Sequence, residues 1–305
     1  MNLHVAICIA THNRRADLSR TLDHIARLVP PPDELLICAD GCTDDTETFV
    51  RATHPQARLF THALAMGSIP SRNELAAACT SEVFVSLDDD SYPLDTDFIG
   101  QVRTAFAQHP RLAVLSFAQQ TDEFPQSLAT TDFGPAQFVG SFANSAAAIR
   151  REAFIALGGY PDFFFHAYEE PDFALRCVCA SWQVRAVPSP IVRHHYTSAQ
   201  RSELRMHHRH ARNEFWCIVM RAPAPLALPL AVFRAVRQLG FACRRGANWV
   251  VREPFWWWQA LRGLGTALSA RESLPLRRYL GWIRLLRRPL LDEAEWNALF
   301  GEAAP

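Results

Sequence analysis

The first hundred residues alternate apolar β-type runs with amphipathic helical runs, and this alternation constrains the fold more than any other feature. Residues 4–11 and 34–40 have the apolar character of buried strands. Between them, residues 15–28 place leucine and isoleucine at helical spacing. A β-α-β-α order predicts a parallel sheet with right-handed crossovers and helices on its faces. We therefore expect an α/β fold with a mostly parallel, Rossmann-like sheet.

Three of the predicted strands end in polar residues. Thr11, His12 and Asn13 follow the first strand, Asp40 ends the second, and residues 88–90 end a later one. Sheets of this kind bind ligands at the carboxyl ends of their strands, so the pattern predicts one nucleotide-sized crevice. For Asp40, the alternative interpretation is that of an ordinary turn residue.

Three consecutive carboxylates, Asp88, Asp89 and Asp90, follow an apolar strand. Two carboxylates 4 Å apart near a protein surface repel by about 4 kcal/mol, so something must offset their charge. On an extended strand end, Asp88 and Asp90 point to the same side, and carboxylates at i and i+2 suit Mg²⁺ or Mn²⁺. The alternative is a solvated turn that caps a helix.

The net charge of zero conceals an asymmetry along the chain. Residues 1–192 carry 13 Arg against 23 acids, whereas residues 193–305 carry 18 Arg against 8, and there is no Lys. The basic C-terminal part is also rich in Trp and Phe, which suggests phosphate or an anionic membrane surface as a partner. Its longest uncharged apolar run, 222–233, is shorter than the ~20 residues that span a bilayer. We therefore expect these segments to lie on a membrane rather than cross it.

The N-terminus and the cysteines indicate the compartment. The first residues place an Arg pair after a short apolar run, which is not the pattern of a secretion signal. The eight Cys include no CxxC pair and sit mostly in apolar runs, as small buried residues do in a reducing compartment. We expect a cytoplasmic protein, peripheral on the inner face of the cell membrane if the C-terminal part binds lipid.

Five stretches, taken together and in this order, resemble family 2 glycosyltransferases of the GT-A fold. They cover roughly residues 4–200, and each alone is weakly specific. They are VAICIATHNR (5–14), LLICADGCTDDT (35–46), GSIPSRNELAAACTSEVFVSLDDD (67–90), GSFANSAAAIRREAFIALGGYPDFFFHAYEEPDFALR (140–176) and VRHHYTS (192–198). The resemblance implies a GT-A domain over 1–200 and leaves 201–305 as an Arg/Trp-rich helical extension.

The resemblance assigns roles in donor binding. It implies that Asp40 contacts the nucleobase, that Thr11 and Asn13 line the same pocket, and that Arg72 reaches towards base or phosphate. Asp88 and Asp90 become the DxD motif, which holds a divalent cation, Mg²⁺ or Mn²⁺, on the diphosphate of the donor; Asp88 thereby also contacts the nucleotide. A histidine near the end of the domain completes such a site in some members, which points to His195, with His194 as the alternate.

The resemblance also assigns roles on the acceptor side. Residues 169–172 match the Glu-Asp-x-Asp stretch whose second acid deprotonates the acceptor hydroxyl, so Glu170 is the candidate base. Because the family more commonly has Asp there, Glu169 stays open as the alternative. These acids also suit the N-terminus of a helix for structural reasons. Asp172 and Arg176, at i and i+4, form either a structural or an acceptor-side pair.

The implied activity is a metal-dependent, inverting transfer of a sugar from a nucleoside-diphosphate sugar to an acceptor hydroxyl. UDP- or dTDP-sugars are favoured as donors, and a glycan or a lipid-linked acceptor in bacterial cell-surface glycan assembly is favoured as the recipient. No nucleic-acid partner is expected. The alternative is a catalytically idle protein that binds nucleotide sugars or acts as a scaffold at a membrane.

Overall fold

The computed structural model describes residues 3–197 and 202–301. The predicted domain boundary between residues 200 and 201, and Ser198 at the end of the last motif, lie outside these described residues. The strands are β1 (Val5–Thr11), β2 (Glu34–Asp40), β3 (Arg58–His62), β4 (Val83–Asp88), β5 (Ser91–Pro93), β6 (Leu112–Thr121), β7 (Gln137–Phe138), β8 (Ala146–Arg150) and β9 (Gln183–His194).

Helices alternate with these strands and then make up the C-terminal part of the described chain. Short 3₁₀ turns occupy Pro125–Ala129 and Asp162–Phe164. The α-helices are α1 (Arg15–Ile25), α2 (Thr46–Thr53), α3 (Ser68–Ala78), α4 (Phe98–Gln108), α5 (Arg151–Ala156), α6 (Glu169–Cys179), α7 (Glu203–Arg221), α8 (Ala224–Arg245), α9 (Ala247–Val250), α10 (Glu253–Arg262), α11 (Leu264–Ser269), α12 (Leu276–Arg287) and α13 (Glu293–Phe300).

One central sheet runs through the molecule in the order β3-β2-β1-β4-β8-β6-β9-β5, with β7 on β9. The half formed by β3, β2, β1 and β4 is parallel, as the alternation predicts. In the other half, β8 is antiparallel to both β4 and β6, and β5 and β7 are antiparallel to β9. The longest pairing, β6 with β9, is parallel as well, so the predicted α/β class with a mostly parallel sheet is confirmed, and the antiparallel pairings are those of β5, β7 and β8.

The C-terminal helices share the core of the sheet. Trp216 of α7, Trp282 of α12 and Trp296 of α13 belong to the same buried cluster as Ala6 of β1 and Phe84 of β4. Burial of such large aromatic side chains is worth roughly 1.5–3 kcal/mol each. The helical extension is therefore packed onto the central sheet rather than loosely appended to it.

Helix α8 extends beyond the uncharged apolar run. By length and composition, it is the one helix in the described residues that could cross a membrane, with a mean hydropathy of 1.4 over an 18-residue window. Only 11% of that window is buried. The uncharged run is as short as the sequence predicts, and the helix reaches this length only because it continues through Arg234 and Arg237, so the expectation of a segment that lies on a membrane stays a prediction. One helix of this kind is weak evidence for a span.

Candidate active site

A cavity of about 800 Å³ opens at the carboxyl edge of β1 and β2. We call it the donor cavity. Asn13 and Asp40 line it, together with the start of α7 and the loop at Phe165. Asn13 has a positive φ of 53° and accepts hydrogen bonds from the backbone N–H groups of Thr43 (2.6 Å) and Asp44 (3.2 Å). It therefore fixes the loop after β2 against the end of β1.

The carboxylate of Asp40 organises one wall of the donor cavity. It accepts hydrogen bonds from the N–H groups of Met66 (2.7 Å) and Gly67 (2.8 Å) and lies 2.8 Å from Nδ1 of His62. The other ring nitrogen of His62 lies 2.8 Å from Glu74. Burial alone would lower the pKa of His62, but its hydrogen bonds to Asp40 and Glu74 outweigh burial and raise it. Asp40 is thus held rigidly at the cavity.

Asp89, the middle carboxylate, points inward. It accepts a 2.8 Å hydrogen bond from the hydroxyl of Thr11, and Arg14 pairs with it at 2.8 Å. Burial, the largest effect, raises the pKa of Asp89 to about 7. Arg14 also reaches Asp90 at 2.6 Å. Thr11 is only 2% exposed, so its predicted place in the nucleotide pocket is corrected: it supports Asp89 from inside.

The outer two aspartates form a group with His194 that can hold a metal ion. Potential ligand atoms of Asp88, Asp90 and His194 all lie within 4.8 Å of one another. Nε2 of His194 is 3.2 Å from Oδ1 of Asp90, which is buried. Burial alone would raise the pKa of Asp90, but the contacts with His194 and Arg14 outweigh burial and hold the pKa below its usual value. The carboxylate is therefore ionised. Two carboxylates and an imidazole suit Mn²⁺ and leave positions for substrate oxygens.

The histidine assignment is corrected from His195 to the alternate, His194. Successive strand residues point to opposite faces, and His194 is the one that faces the aspartates at the end of β9. His195 instead lies 2.9 Å from the hydroxyl of Tyr92 and 3.7 Å from Asp122. A one-residue difference in register therefore decides which ring joins the metal group.

Arg72 connects the aspartates to the second acidic cluster. Its guanidinium donates to Asp88 at 2.5 Å and to Glu169 at 3.3 Å, and its side chain is only 10% exposed. Arg72 therefore contacts two acids in the structure, in place of the predicted contact with base or phosphate. Arg72 balances the charge of both acids and links the metal group to the start of α6.

The acids at the start of α6 occupy different environments. Glu169 is 2% exposed and accepts hydrogen bonds from Arg72 and from the side-chain amide of Asn144 (3.2 Å). Glu170 stays partly exposed. Burial of its carboxyl and then repulsion from Glu169 raise the pKa of Glu170 to about 8. A carboxylate with a raised pKa and an accessible face is suited to general base catalysis near neutral pH.

Asp172 and Arg176 form a structural pair. Asp172 is fully buried and contacts Arg176 at 2.7 Å and Arg221 of α7 at 3.0 Å. Arg176 also donates to the carbonyl oxygens of Leu157 (2.5 Å) and Gly159 (2.6 Å). The acceptor-side role is corrected, because neither side chain faces a cleft. The pair joins α6 to α7 and to the loop that precedes α6.

Comparison with known proteins identifies the family. The sequence profile described as "Glycosyl transferase family 2" matches residues 6–158, which is half of the chain. The chain belongs to glycosyl transferase family 2. No curated protein matches it. At the level of the family, this chain is a glycosyltransferase, and the match contains the metal-site aspartates but ends before α6.

Solved structures of glycosyltransferases share its fold. A mannosyltransferase from Pyrobaculum calidifontis, solved with GDP-Man and Mn²⁺, has a TM-score of 0.56 at 20% identity, over 94% of this chain and 85% of that one. GalNAc-T7, solved with UDP, GalNAc and Mn²⁺, has 0.57 at 13% identity, over 71% and 47%. TarS 1-349 of S. aureus, solved with UDP, has 0.56 at 13% identity, over 71% and 66%. These similarities establish the GT-A fold.

Sequence reasoning missed several residues of the glycosyltransferase site. Arg14 neutralises two aspartates, His62 holds Asp40, and His166 lines the donor cavity with a 2.7 Å contact to Ser68. Arg14 follows directly after the polar end of β1. Because three carboxylates at a neighbouring strand end need a compensating cation, this arginine could have been predicted from the sequence. No comparable signal marks His62 or His166, whose partners are distant in sequence.

Proposed function

We propose that this glycosyltransferase moves a sugar from a nucleoside-diphosphate sugar to an acceptor hydroxyl, with inversion at the anomeric carbon and a divalent cation as cofactor. The observation that carries the proposal is the metal group of Asp88, Asp90 and His194. Through Arg72, this group connects to Glu169 at the start of α6, beside the partly exposed Glu170. Inversion is inferred from the family.

The residues of the donor cavity would bind and orient the donor. Asp40, fixed by His62 and two backbone N–H groups, presents its carboxylate to the nucleobase, and Asn13 shapes the neighbouring loop. Asp88, Asp90 and His194 would hold Mg²⁺ or Mn²⁺, which neutralises the diphosphate and stabilises it as a leaving group. UDP or dTDP remains the favoured nucleotide. Among the structural neighbours, TarS is solved with UDP and UDP-GlcNAc, and the mannosyltransferase with GDP-Man.

Glu170 would act as the general base. Its carboxylate takes the proton of the acceptor hydroxyl while that oxygen attacks the anomeric carbon from the face opposite the diphosphate. The new glycosidic bond forms as the bond to the diphosphate oxygen breaks, and the diphosphate leaves with the electron pair. Glu169 is less suited to this role because Arg72 and Asn144 already hold one of its oxygens and it is nearly inaccessible.

We also propose that the C-terminal helices attach the protein peripherally to a membrane, on its cytoplasmic face. Val232, Phe233 and Val236 of α8 are each at least 55% exposed, and Phe255 and Trp258 of α10 are more than half exposed. Exposed aromatic and aliphatic side chains beside arginines suit an anionic lipid surface. We place the reaction there, in cell-surface glycan assembly with a glycan or lipid-linked acceptor.

Membrane attachment can be measured by sedimentation with phosphatidylglycerol-containing vesicles at low and high salt. The wild type should co-sediment, and Phe233→Ser combined with Val236→Ser should reduce the bound fraction several-fold. The matched control is Leu64→Ser, which removes an 81% exposed leucine from the catalytic part. Absence of binding at low salt would contradict the membrane proposal.

Donor hydrolysis tests the proposed activity without knowledge of the acceptor. UDP-, dTDP- and GDP-sugars are incubated with Mg²⁺, Mn²⁺ or EDTA, and the released nucleoside diphosphate is quantified. We expect release from one nucleotide class, dependent on metal and abolished in Asp90→Asn. The control Asp23→Asn changes an exposed acid on α1 and should leave release unchanged. Metal-dependent binding of nucleotide without any release would favour the catalytically idle alternative.

A further inference from the structure

A second cleft of about 810 Å³ lies between α7 and the segment that contains α10. We call it the basic cleft. Its walls combine cationic residues with a few apolar ones. The lining residues are Phe165, Ser202, Leu204, Arg205, His208, Arg209, Arg212, Val251, Arg252, Phe255 and Gln259.

The positive charge of the basic cleft is not balanced by nearby acids. Four arginines line it and no carboxylate does. Among the described residues, none of these four arginines forms an ion pair, whereas Arg14 and Arg72 of the active site both do. Burial, followed by repulsion from a neighbouring arginine, lowers the pKa of Arg209. The same two effects lower the pKa of Arg212 to about 10. A bound anion would offset this repulsion.

A buried histidine in the same wall provides an independent observation. His208 is 6% exposed, and within the described part of the chain its Nε2 has no hydrogen-bond partner. The nearest acid, Glu253, is 3.9 Å away and already contacts His207 and Trp256 at 2.7 Å. A buried polar atom without a partner beside a cavity is expected to meet a ligand or water there.

The basic cleft shares part of its wall with the donor cavity. Phe165, Ser202, Arg205 and Arg209 line both. The amide of Asn213 donates to the carbonyl oxygens of three loop residues, namely Phe164 (3.2 Å), His166 (3.0 Å) and Ala167 (2.7 Å). Helix α7 is thus fixed to the loop that leads into Glu169 and Glu170, so the basic cleft adjoins the segment that carries these two acids.

We propose that the basic cleft binds the phosphate or diphosphate group of the acceptor, whose sugar hydroxyl then reaches the donor cavity. The proposal deepens the proposed function and rests on it. Arg205, Arg209 and Arg252 would contact the anion, since arginine binds phosphate oxygens through paired N–H groups. Leu204, Val251 and Phe255 provide apolar contacts for the rest of the acceptor. The substrate class is therefore a phosphate-linked saccharide.

Two sources of this phosphate are distinguished by the probes. Farnesyl diphosphate, inorganic diphosphate and farnesol are titrated calorimetrically into the full chain in EDTA, so that the metal group does not compete. Both diphosphates should bind and farnesol should not. Farnesyl diphosphate binding more than about tenfold tighter indicates a lipid-linked acceptor, and similar affinities indicate a soluble sugar phosphate; either result supports an anion site.

Variants locate the binding. Arg252→Gln combined with Arg209→Gln should weaken diphosphate binding by about tenfold or more, since each removes a charge-assisted contact. Because Arg209 also lines the donor cavity, Arg252→Gln alone, which changes only the basic cleft, should still weaken this binding several-fold. The control Arg262→Gln removes a cation that stacks on Trp258 at 4.6 Å and lines neither cavity, and it should bind normally. Thermal melting confirms that each variant folds.

The proposal is overturned if no diphosphate binds, or if the double variant binds diphosphate as tightly as the wild type. Its failure can be distinguished from failure of the proposed function. If only the basic-cleft proposal fails, nucleotide still binds in the presence of metal, and this binding is still lost in Asp90→Asn. If the proposed function fails, metal-dependent nucleotide binding is absent, whether or not the basic cleft binds diphosphate.

Discussion

Replacement of Glu170 by glutamine separates its roles in catalysis and stability. The pKa of Glu170 is raised to about 8, chiefly by burial. Only about one tenth of the carboxyl is therefore ionised at pH 7, about half at pH 8, and nearly all above pH 9. A general base acts in its ionised form, so the rate of sugar transfer or donor hydrolysis should rise about tenfold from pH 7 to pH 9.

The same raised pKa has a consequence for stability. A carboxyl whose folded-state pKa lies above its unfolded value contributes stability at pH below about 4.5, and this contribution is lost as the pH rises through about 8. Glu170→Gln removes the buried charge. The variant should therefore be inactive, similar to the wild type in stability at pH 5, and more stable than the wild type at pH 9.

The assay combines donor hydrolysis in Mg²⁺ over pH 6–9 with thermal melting at pH 5 and pH 9. Glu169→Gln is the matched control. It leaves buried Arg72 without one of its two partners, so it should lower stability at both pH values. It should keep an alkaline rise in rate that begins at lower pH, because the repulsion from Glu169 that helps to raise the pKa of Glu170 is removed. A pH-independent rate in the wild type, or an alkaline rise that persists in active Glu170→Gln, would refute the assignment of the base.

Further substitutions test the supporting contacts. Asp172→Asn should lower the free energy of unfolding by about 3–5 kcal/mol, because it leaves two buried arginines without their carboxylate; Asp122→Asn, at a partly exposed pair, should cost about 1 kcal/mol or less. Equal losses by urea denaturation would contradict this assignment. His62→Gln should weaken nucleotide binding, because His62 fixes Asp40. Since the pKa of His62 is raised, its stabilising contribution is present at pH 5.5 and is lost as the pH rises through that raised pKa. Urea denaturation should therefore show a larger loss for His62→Gln at pH 5.5 than at pH 8.5, and the opposite order would count against the network.

The parallel half of the sheet was predictable because its signals are local. Strands β1 and β2 and helix α1 follow directly from apolar periodicity, and the polar ends of the strands predicted the crevice. Strand β8 was missed because Ala146–Arg150 is rich in alanine, which has low β propensity, and its pairing with β4 and β6 depends on tertiary contacts.

Within the site, sequence identified the types of residue better than their contacts. The sequence grouped Asp88 with Asp90 correctly, although β4 ends at Asp88 and Asp90 lies in the turn before β5, so strand alternation is not the physical reason. A pair of adjacent histidines could not be resolved without the register of β9. Likewise, the buried position of Thr11 depends on where Asp89 points, and the basic cleft depends on how α7 and α10 pack together. None of these relations is periodic in the sequence.

The most direct test of the central claim is calorimetric titration of UDP, dTDP and GDP, each with Mn²⁺ or with EDTA, into the wild type, Asp90→Asn, His194→Ala and His195→Ala. We predict metal-dependent binding of one nucleotide, lost in Asp90→Asn, weakened in His194→Ala and retained in His195→Ala. If no nucleotide binds, or if binding is the same in EDTA and in Asp90→Asn, Asp88, Asp90 and His194 do not form a donor-binding metal site.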